Sequence, residues 1–541
     1  MRAGAEAEAP LSPPPASSAS AGRSLDRWEI AALAALFALS IAVLCGLLLR
    51  VWIRGGVVAG GDGFLVADPL QYLNWLRQHG EHGAARNLYD IGPSSHVFLH
   101  PGLLISGLLY GLGLGVAAAY FVWKPVAVAA LFAGALLYVR RFLQRPGDRR
   151  LALILALFTC SPVAAIVGWG GIGDERTKFE FDFISGELWP GSWLWGYLFT
   201  AIAVGLMPLG LLAYERGRDG GRRAMLGWAA AAGLLCCWLQ PWQGATFAGI
   251  LVGAEAIAVL RGRRPVLGAA RDLVVPIVAT ALPALYYWLL ARYEDSWALA
   301  RVANDLPRWP WWVTVLGLAP LAIPALLAYR DPARDFGDVA LRVWPLAGLV
   351  VYHLPFGTFP FHAFQGLALP LVVLGVLAVR HRLGERPIPA WAAVAVCLLL
   401  IVPGTAYRVD QMAGAVERGY QPFFLTAEER DALRALEDDP EAGGVLAPIY
   451  MGLLLPAYTG RETWVGAGSW SPQFDQRTQE AEALFQGGLD RAAAEALVRR
   501  SGARFLLSDC RGRVNIDRTV AGFTDPPRRF GCATIYRVSD R

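Results

Sequence analysis

The stretch WEIAALAALFALSIAVLCGLLLRVWI, residues 28–53, decides the fold class of this chain. As a helix it is long enough to cross the roughly 30 Å of hydrocarbon in a bilayer, with some tilt. It comes too late in the chain, and is too long, to be a secretion signal. Arg23 and Arg27 precede it, which favours a cytoplasmic N-terminus because basic residues are retained on that side.

The composition of the whole chain predicts a polytopic membrane protein. Of 541 residues, 55% are hydrophobic and 17% are charged, whereas a soluble globular chain has about 25% charged residues. The net charge of +5 comes from arginines in short clusters between apolar runs, which is typical of membrane loops and argues against nucleic-acid binding. Residues 1–24, rich in Ala, Pro and Ser, predict a disordered cytoplasmic tail.

Further apolar runs predict additional spans, and the arginine clusters between them set the topology. If every cluster faces the cytoplasm, the number of spans is odd, and we expect eleven to thirteen. The stretch 97–143 must then cross an odd number of times, although its hydropathy suggests two spans. The runs lie near 97–121, 122–143, 150–169, 192–214, 225–239, 245–260, 271–290, 310–329, 341–355, 364–381 and 389–407. The clusters lie within 140–150, 216–223, 261–264, 330–342 and 380–386.

The polar chemistry is concentrated in the segments predicted to lie outside. In the first outer loop, 54–97, Asp68 followed by Pro69 predicts an N-cap and the first residue of a helix at the membrane interface. The segment 170–192 is dense in charge, and the segment 356–366 has histidines beside it. Candidate polar residues in these two segments are Arg176, Lys178, Glu187, His353 and His362.

A family resemblance follows from the first outer loop. Asp68-Pro69-Leu70-Gln71-Tyr72 opens a short helix after a long first span, and His100-Pro101 leads into the next span. This arrangement resembles the GT-C superfamily of membrane glycosyltransferases, such as protein O-mannosyltransferases and lipid A aminoarabinose transferases. In that family an acidic residue of the first outer loop, often in Asp-Glu-x-x-Tyr, is the catalytic base. Asp68 and Tyr72 keep the spacing, but Pro69 replaces the second acidic residue.

The resemblance implies an inverting transferase of the inner membrane that uses a polyprenyl-phosphate sugar. The acceptor hydroxyl, on a glycan, lipid or protein, must lose its proton, and the leaving phosphate must be stabilised. Asp68 is the expected base, and Asp62 is its rival. The expected substrate-binding residues are Tyr72, Arg77, Arg86, His100, Arg176, Lys178, Glu187, His353 and His362. Of these, Arg77, Arg86, Arg176 and Lys178 are the first candidates for binding the phosphate, and His353 and His362 are further possibilities. Some relatives use a divalent metal and others do not, so the resemblance identifies no cofactor.

Each candidate also has a simpler interpretation. Asp68 would serve as a helix cap, and Asp62, in Gly-Gly-Asp-Gly, as a turn residue. Arg77 and Arg86 would face lipid headgroups, whereas Arg176 and Lys178 would pair with carboxylates nearby. The pairs His79/His82 and His96/His100 have helical spacing, but a zinc site needs three or four ligands and no compact signature is present.

After Tyr407 the sequence predicts a soluble α/β domain, residues 408–541, outside the membrane. Helices are expected from 426 to 438, 474 to 485 and 489 to 500, and strands at 444–448, 503–508 and 533–538. The loop 458–472, with Trp464 and Trp470, predicts either a sugar platform or a surface that docks on the membrane region. A disulfide between Cys510 and Cys532 is expected if this domain is outside.

The sequence therefore predicts glycosyl transfer in the cell envelope, with membrane lipid around the spans and no nucleic-acid partner. The first alternative is a transporter or flippase of a lipid carrier or polysaccharide, whose polar groups would line a path through the bilayer midplane. The second is a non-catalytic cell-envelope assembly protein. Few charges other than Lys124 lie within spans, and the acidic residues gather in the outer loops, which favours the enzyme.

Overall fold

The computed structural model describes residues 24–355, 358–512 and 514–539. The predicted tail therefore lies outside the described residues, except for Ser24. Within the described ranges, eight helices are long and apolar enough to cross a membrane, or nine if the bent pair Pro146–Phe158 and Pro162–Trp169 is one span. The eleven to thirteen spans expected from the sequence exceed this number, since Pro101–Gly111 and Ala224–Leu239 are apolar but shorter.

The elements up to the end of the last span are mostly helical. The helices are α1 (Arg27–Arg54), α2 (Ala67–His82), α3 (Pro101–Gly111), α4 (Val116–Phe121), α5 (Trp123–Phe142), α6 (Pro146–Phe158), α7 (Pro162–Trp169), α8 (Glu175–Leu188), α9 (Pro190–Leu194), α10 (Leu198–Asp219), α11 (Ala224–Leu239), α12 (Pro241–Leu260), α13 (Val266–Tyr293), α14 (Asp295–Ala303), α15 (Trp311–Leu326), α16 (Phe336–His353), α17 (Ala368–Leu383) and α18 (Ala390–Arg418). Short 3-10 helices span Leu327–Arg330 and Pro360–Phe364, and strand β1 is Val57–Val58.

The C-terminal region contains a small mixed sheet with helices around it. Its strands are β2 (Phe424–Leu425), β3 (Val445–Leu446), β4 (Phe505–Ser508), β5 (Arg528–Phe530) and β6 (Ala533–Arg537), and its helices are α19 (Ala427–Glu437), α20 (Ile449–Gly452), α21 (Leu455–Thr459), α22 (Phe474–Phe485), α23 (Arg491–Ser501) and α24 (Asp517–Val520). The sheet order is β3-β4-β6-β5, with only β3 and β4 parallel. The predicted α/β character is confirmed, and β5 is an additional strand.

The stretch 97–143 contains one helix long and apolar enough to cross a membrane, rather than the two that its hydropathy suggests. Helix α3 has 11 residues, so it extends only about 16 Å and is too short to span. It packs against α2 instead. The glycine-rich break 111–115 separates α3 from α4 and α5, which together form a single candidate span, Val116–Phe142. One candidate span in this stretch agrees with the odd number of crossings expected if every arginine cluster faces the cytoplasm.

The arginine clusters share one end of the helical bundle, which we call the basic side. Arg140 pairs with Glu29 at 2.5 Å and Arg150 pairs with Asp26 at 2.9 Å, both at the start of α1. Asp26 is the N-cap of α1, so this end of the helix is tied to the end of α5 and to the start of α6.

Further ion pairs connect the remaining clusters to the same side. Arg141 binds Glu215 and Asp335, and Arg380 binds Asp148 at 2.6 Å. Glu255, buried on α12, accepts from Arg218 at 2.8 Å and Arg264 at 2.6 Å. These contacts link all the clusters predicted to face the cytoplasm.

The opposite end of α1 leads to the C-terminal region, and we call it the sheet side. β1 pairs antiparallel with β2, with Val57 opposite Leu425. Arg77–Glu437 at 2.9 Å, Arg86–Glu462 at 2.6 Å and Asp90–Arg477 at 2.6 Å join the loop after α1 to the C-terminal region. Trp470 packs edge-on against Trp75 and Trp297, with ring centroids 5.3 and 5.1 Å apart, so this tryptophan serves docking. Cys510 and Cys532 form a disulfide.

Candidate active site

Asp68 and Tyr72, in the first two turns of α2, lie on one helix face, because residues four apart are neighbours on a helix. The predicted capping role of Asp68 is wrong. α2 begins at Ala67, its N-cap is Val66, and no side chain caps it. The amide of Val66 instead donates to Gln421 in the linker after α18. Asp68 lies in the first turn, where its carboxylate is free to bond elsewhere.

Tyr197 supplies the hydrogen bond to Asp68. Its hydroxyl donates to Oδ2 of Asp68 at 2.8 Å, and Tyr197 lies just before α10. Burial raises the pKa of Asp68, while the Tyr197 hydrogen bond and a positive charge on His362 lower it. Although burial desolvates the Asp68 carboxyl, the residues Asp68, Tyr72 and Tyr197 as a whole are half-buried, so solvent still reaches part of this cluster. A carboxylate in this setting can accept a proton from a bound hydroxyl.

His362 is the charged group whose electrostatic effect lowers the pKa of Asp68. Its Nδ1 lies 3.1 Å from Oε1 of Glu187, which is buried near the end of α8. Gln243 donates to the main-chain oxygen of His362 at 2.9 Å. The rings of Trp242 and His362 pack edge-to-face, with their centroids 5.3 Å apart. The turn at the start of α12 and the end of α8 therefore fix the position of this imidazole.

Arg77 and Arg86 lie in the predicted loop but bind the C-terminal region. Arg77 is buried between Glu81 at 2.7 Å and Glu437 at 2.9 Å, and Arg86 bonds Glu462. Both guanidinium groups are thus engaged by carboxylates on the docked domain. These ion pairs differ from both interpretations of the two arginines, phosphate binding and contact with lipid headgroups, because the C-terminal region covers the guanidinium groups.

His100 and Asp62 are also used inside the protein. Burial lowers the pKa of His100 to about 3, so the ring is neutral near pH 7, and its Nδ1 accepts from the amide of Leu103 as the N-cap of α3. The carboxyl of Asp62 is 1% exposed and pairs with Lys124 at 2.6 Å. Neither side chain is presented to a substrate in this arrangement.

Three further candidates lie on the surface and are not gathered around Asp68. Arg176 pairs with Glu180 at 3.0 Å, and Lys178 pairs with the exposed Glu175 at 2.8 Å. Both are pairs with carboxylates nearby on α8, as the simpler interpretation predicts, although Glu180 is buried whereas Glu175 is exposed. His353, at the end of α16, is exposed.

Sequence reasoning missed two residues in this region. No sequence pattern indicated a role for Tyr197. It follows a tryptophan-rich stretch, which predicts only that the chain re-enters the bilayer there. Arg408 lies one residue beyond the predicted domain boundary, is 4% exposed, and binds Asp182 of α8 at 2.9 Å. A single arginine near the end of a long apolar run was the available signal, since a buried charge in such a position needs a partner.

A metal site is not formed around Asp68 by the part of the chain that the structure describes. There, the one group of three ligand atoms within 4.8 Å of one another is Glu428, Cys510 and Cys532, and its two cysteines form the disulfide. Glu187 is occupied by His362. Among the described residues, the carboxylates and imidazole near Asp68 do not bring three ligand atoms within this distance of one another.

No protein-family model and no curated protein sequence matches the chain. Solved structures do match it. The archaeal oligosaccharyltransferase of Archaeoglobus fulgidus, in complex with an inhibitory peptide and a dolichol-phosphate, aligns with a TM-score of 0.50 and 15% identity over 90% of this chain and 69% of that chain. The same organism's oligosaccharyltransferase in complex with Zn and sulfate gives 0.51 and 16% identity over 88% and 68%.

Arabinofuranosyltransferase AftD from Mycobacteria aligns with a TM-score of 0.53 and 16% identity, over 96% of this chain and 42% of that chain. This chain thus spans less than half the length of AftD. At such identities the likeness concerns the fold, and both kinds of enzyme are GT-C glycosyltransferases. Together with the first loop that returns to the membrane and the C-terminal region docked on it, the alignments show that this chain has the GT-C fold.

Proposed function

We propose that this protein is a membrane glycosyltransferase that moves a sugar from a polyprenyl-phosphate donor to an acceptor hydroxyl, with Asp68 as the general base. The observation behind this proposal is the half-buried Asp68 carboxylate, hydrogen-bonded by Tyr197 and within electrostatic reach of His362. The archaeal structure that contains dolichol-phosphate supports a lipid-linked donor for this fold.

The reaction is a single displacement at the anomeric carbon. Oδ2 of Asp68 is held by Tyr197, so Oδ1 accepts the acceptor proton as the acceptor oxygen attacks. The bond between the anomeric carbon and the phosphate oxygen breaks, and both electrons leave with the phosphate. Because one displacement inverts the carbon, the product has the opposite anomeric configuration.

His362 is the group that stabilises the leaving phosphate in this proposal. Its Nδ1 faces Glu187, which fixes the ring, and in the imidazolium form Nε2–H can donate to a phosphate oxygen. A preorganised donor aimed at developing charge lowers the barrier, because it needs no reorganisation during the reaction. Tyr72, one turn after Asp68, is placed to contact the sugar or the acceptor.

The orientation in the membrane is part of the proposal. Basic residues are retained in the cytoplasm, so the basic side and the N-terminus would be cytoplasmic, and residues 408–541 would form an extracytoplasmic domain. The Cys510–Cys532 disulfide supports this orientation because disulfides persist outside the cytosol. The active site, on the sheet side, would then act at the outer face of the inner membrane on a glycan, lipid or protein acceptor.

A transfer assay tests the proposed function. Purified protein in liposomes is given radiolabelled polyprenyl-phosphate sugars and a membrane extract, and the native chain is compared with Asp68→Asn. The matched control is Asp174→Asn, which changes an exposed N-cap residue of α8 to another good cap. Label transferred by the native and control proteins but not by Asp68→Asn supports the proposal. Equal transfer by all three proteins excludes Asp68 as the base.

A further inference from the structure

The buried ion pair between Lys124 and Asp62 joins three segments of the chain. Nζ of Lys124 lies 2.6 Å from Oδ2 of Asp62 and donates to the main-chain oxygens of Ser40 on α1 and Leu194 on α9, each at 2.8 Å. An ammonium has three N–H donors, and three acceptors surround this one. The side chains are 3% and 1% exposed, so the pair is shielded from water and cannot contact a substrate.

The two turns that Lys124 joins are in direct backbone contact. A Cβ added to Gly63 would lie 2.7 Å from the main-chain oxygen of Trp195. Gly196 has φ of +103°, and its added Cβ would lie 3.0 Å from Cα of Gly63. Only glycine allows both the close approach and this backbone conformation. We call these segments the 60–63 turn and the 194–197 turn.

Each turn leads to one partner of the Asp68–Tyr197 hydrogen bond. The 60–63 turn continues into α2 and Asp68, and the 194–197 turn ends at Tyr197. Pro69, next to Asp68, would lie 3.1 Å from a Cβ on Gly196, so the two turns stay in contact up to the hydrogen-bonded pair. The Tyr120 hydroxyl donates to the main-chain oxygen of Gly196 at 2.7 Å, a second hydrogen bond that holds the 194–197 turn.

We propose that Lys124 and Asp62 are positioning residues, which set the distance between Asp68 and Tyr197 by holding the 60–63 turn against the 194–197 turn. Breaking the pair lets the turns shift relative to each other, and a hydrogen bond weakens steeply when its distance or angle departs from ideal values. The positional claim stands on these contacts alone, whereas its effect on catalysis rests on the proposed function.

A fluorine label on Tyr197 tests the positional claim without any activity measurement. 3-Fluorotyrosine is introduced at position 197, and its ¹⁹F chemical shift is recorded in the otherwise native protein and in Asp68→Asn. The Asp68→Asn spectrum gives the chemical shift expected when the hydrogen bond from Tyr197 to the carboxylate is altered. The test variant is the double change Asp62→Leu with Lys124→Met. It replaces the pair by apolar side chains, an exchange that often preserves stability. Asp62→Asn, which removes only the charge, is the second variant.

The matched control removes another ion pair, Arg380–Asp148 on the basic side, as Arg380→Met with Asp148→Leu. We expect the ¹⁹F resonance to move toward the Asp68→Asn value in both Asp62 variants and to stay at the native value in the control. A native resonance in a folded Asp62→Asn protein and in the double variant overturns the proposal. So does a resonance that is unchanged in Asp68→Asn, because the hydrogen bond would then be absent.

Kinetics separate this proposal from the proposed function. If transfer is observed, the double variant should lose about tenfold or more in kcat, with KM for the donor little changed, because misplacement affects the reacting groups rather than binding. A ¹⁹F change in a protein without transferase activity contradicts the proposed function and leaves the positional claim intact. Unchanged kcat in the double variant, despite measurable native transfer, overturns the catalytic consequence.

Discussion

The hydroxyl of Tyr197 donates a 2.8 Å hydrogen bond to Asp68, a residue 129 positions earlier in the chain. The bond joins the loop after the first span to the turn before α10. It leaves the other carboxylate oxygen available to a substrate, and it lowers the pKa of a carboxyl whose pKa is raised by burial. Asp68 can therefore act as a base although protein surrounds it.

The pH dependence of transfer should report Asp68. Burial raises its pKa above the ordinary 3.8, so the acidic limb of kcat/KM should lie above pH 3.8. The Tyr197 hydrogen bond lowers this pKa, so Tyr197→Phe should shift the limb to higher pH. Profiles of both proteins measured in the same liposomes check this prediction. A limb that stays in place in Tyr197→Phe would show that Asp68 does not control the profile.

Glu187→Gln and His362→Gln should both lower kcat. The first leaves the imidazole without its carboxylate partner, and the second removes the imidazole. A positioned donor to a leaving group contributes about 2.7–4 kcal/mol, so His362→Gln should reduce kcat by about 100-fold or more. His353→Gln, at an exposed position, is the control. Native kcat in His362→Gln would remove this histidine from the mechanism.

Arg86 and Glu462 should contribute to stability rather than to donor binding. Nη1 of Arg86 lies 2.6 Å from Oε1 of Glu462, and both side chains are about three-quarters buried between the first loop and the C-terminal region. Arg86→Met should lower the free energy of unfolding by about 1–3 kcal/mol, since a hydrogen-bonded charge loses its partner. A double-mutant cycle with Glu462→Gln measures the coupling. An unchanged melting temperature combined with a large rise in donor KM would instead favour the phosphate-binding role predicted from sequence.

The disulfide should report the side of the membrane on which the C-terminal region folds. Cys510 and Cys532 close a loop of 22 residues, so Cys510→Ala with Cys532→Ala should cost about 3 kcal/mol of stability. In protein extracted from cells, a maleimide that labels free thiols should leave both cysteines unmodified until a reductant is added. Full labelling without reductant would contradict the extracytoplasmic orientation.

Much of the fold was predictable because membrane helices and amphipathic helices have local signals. The 28–53 run predicted α1, and the helix expected from 426 to 438 is observed as α19, which begins with a capping box of Thr426 and Glu429. The span count was not predictable in the same way. Whether an apolar run such as 97–121 crosses depends on a glycine-rich break and on packing against α2, and hydropathy measures neither.

The candidate site was partly predictable. Asp68 and Tyr72 have a recognisable spacing, and Glu187 and His362 stand out as polar residues near spans, although only the fold shows that they meet. Tyr197 is a common residue type in an aromatic stretch, so its role depends on tertiary contact alone. Arg77 and Arg86 were assigned to phosphate because the docked domain that engages them lies more than 300 residues later.

The central claim is that Asp68 accepts the proton of the acceptor hydroxyl. The most direct measurement compares native protein with Asp68→Asn in one preparation, recording donor binding at equilibrium and then the rate of a single turnover. The account predicts unchanged donor affinity and a rate at least about 100-fold lower, the usual contribution of a general base. A native single-turnover rate in Asp68→Asn, with donor bound, would contradict it.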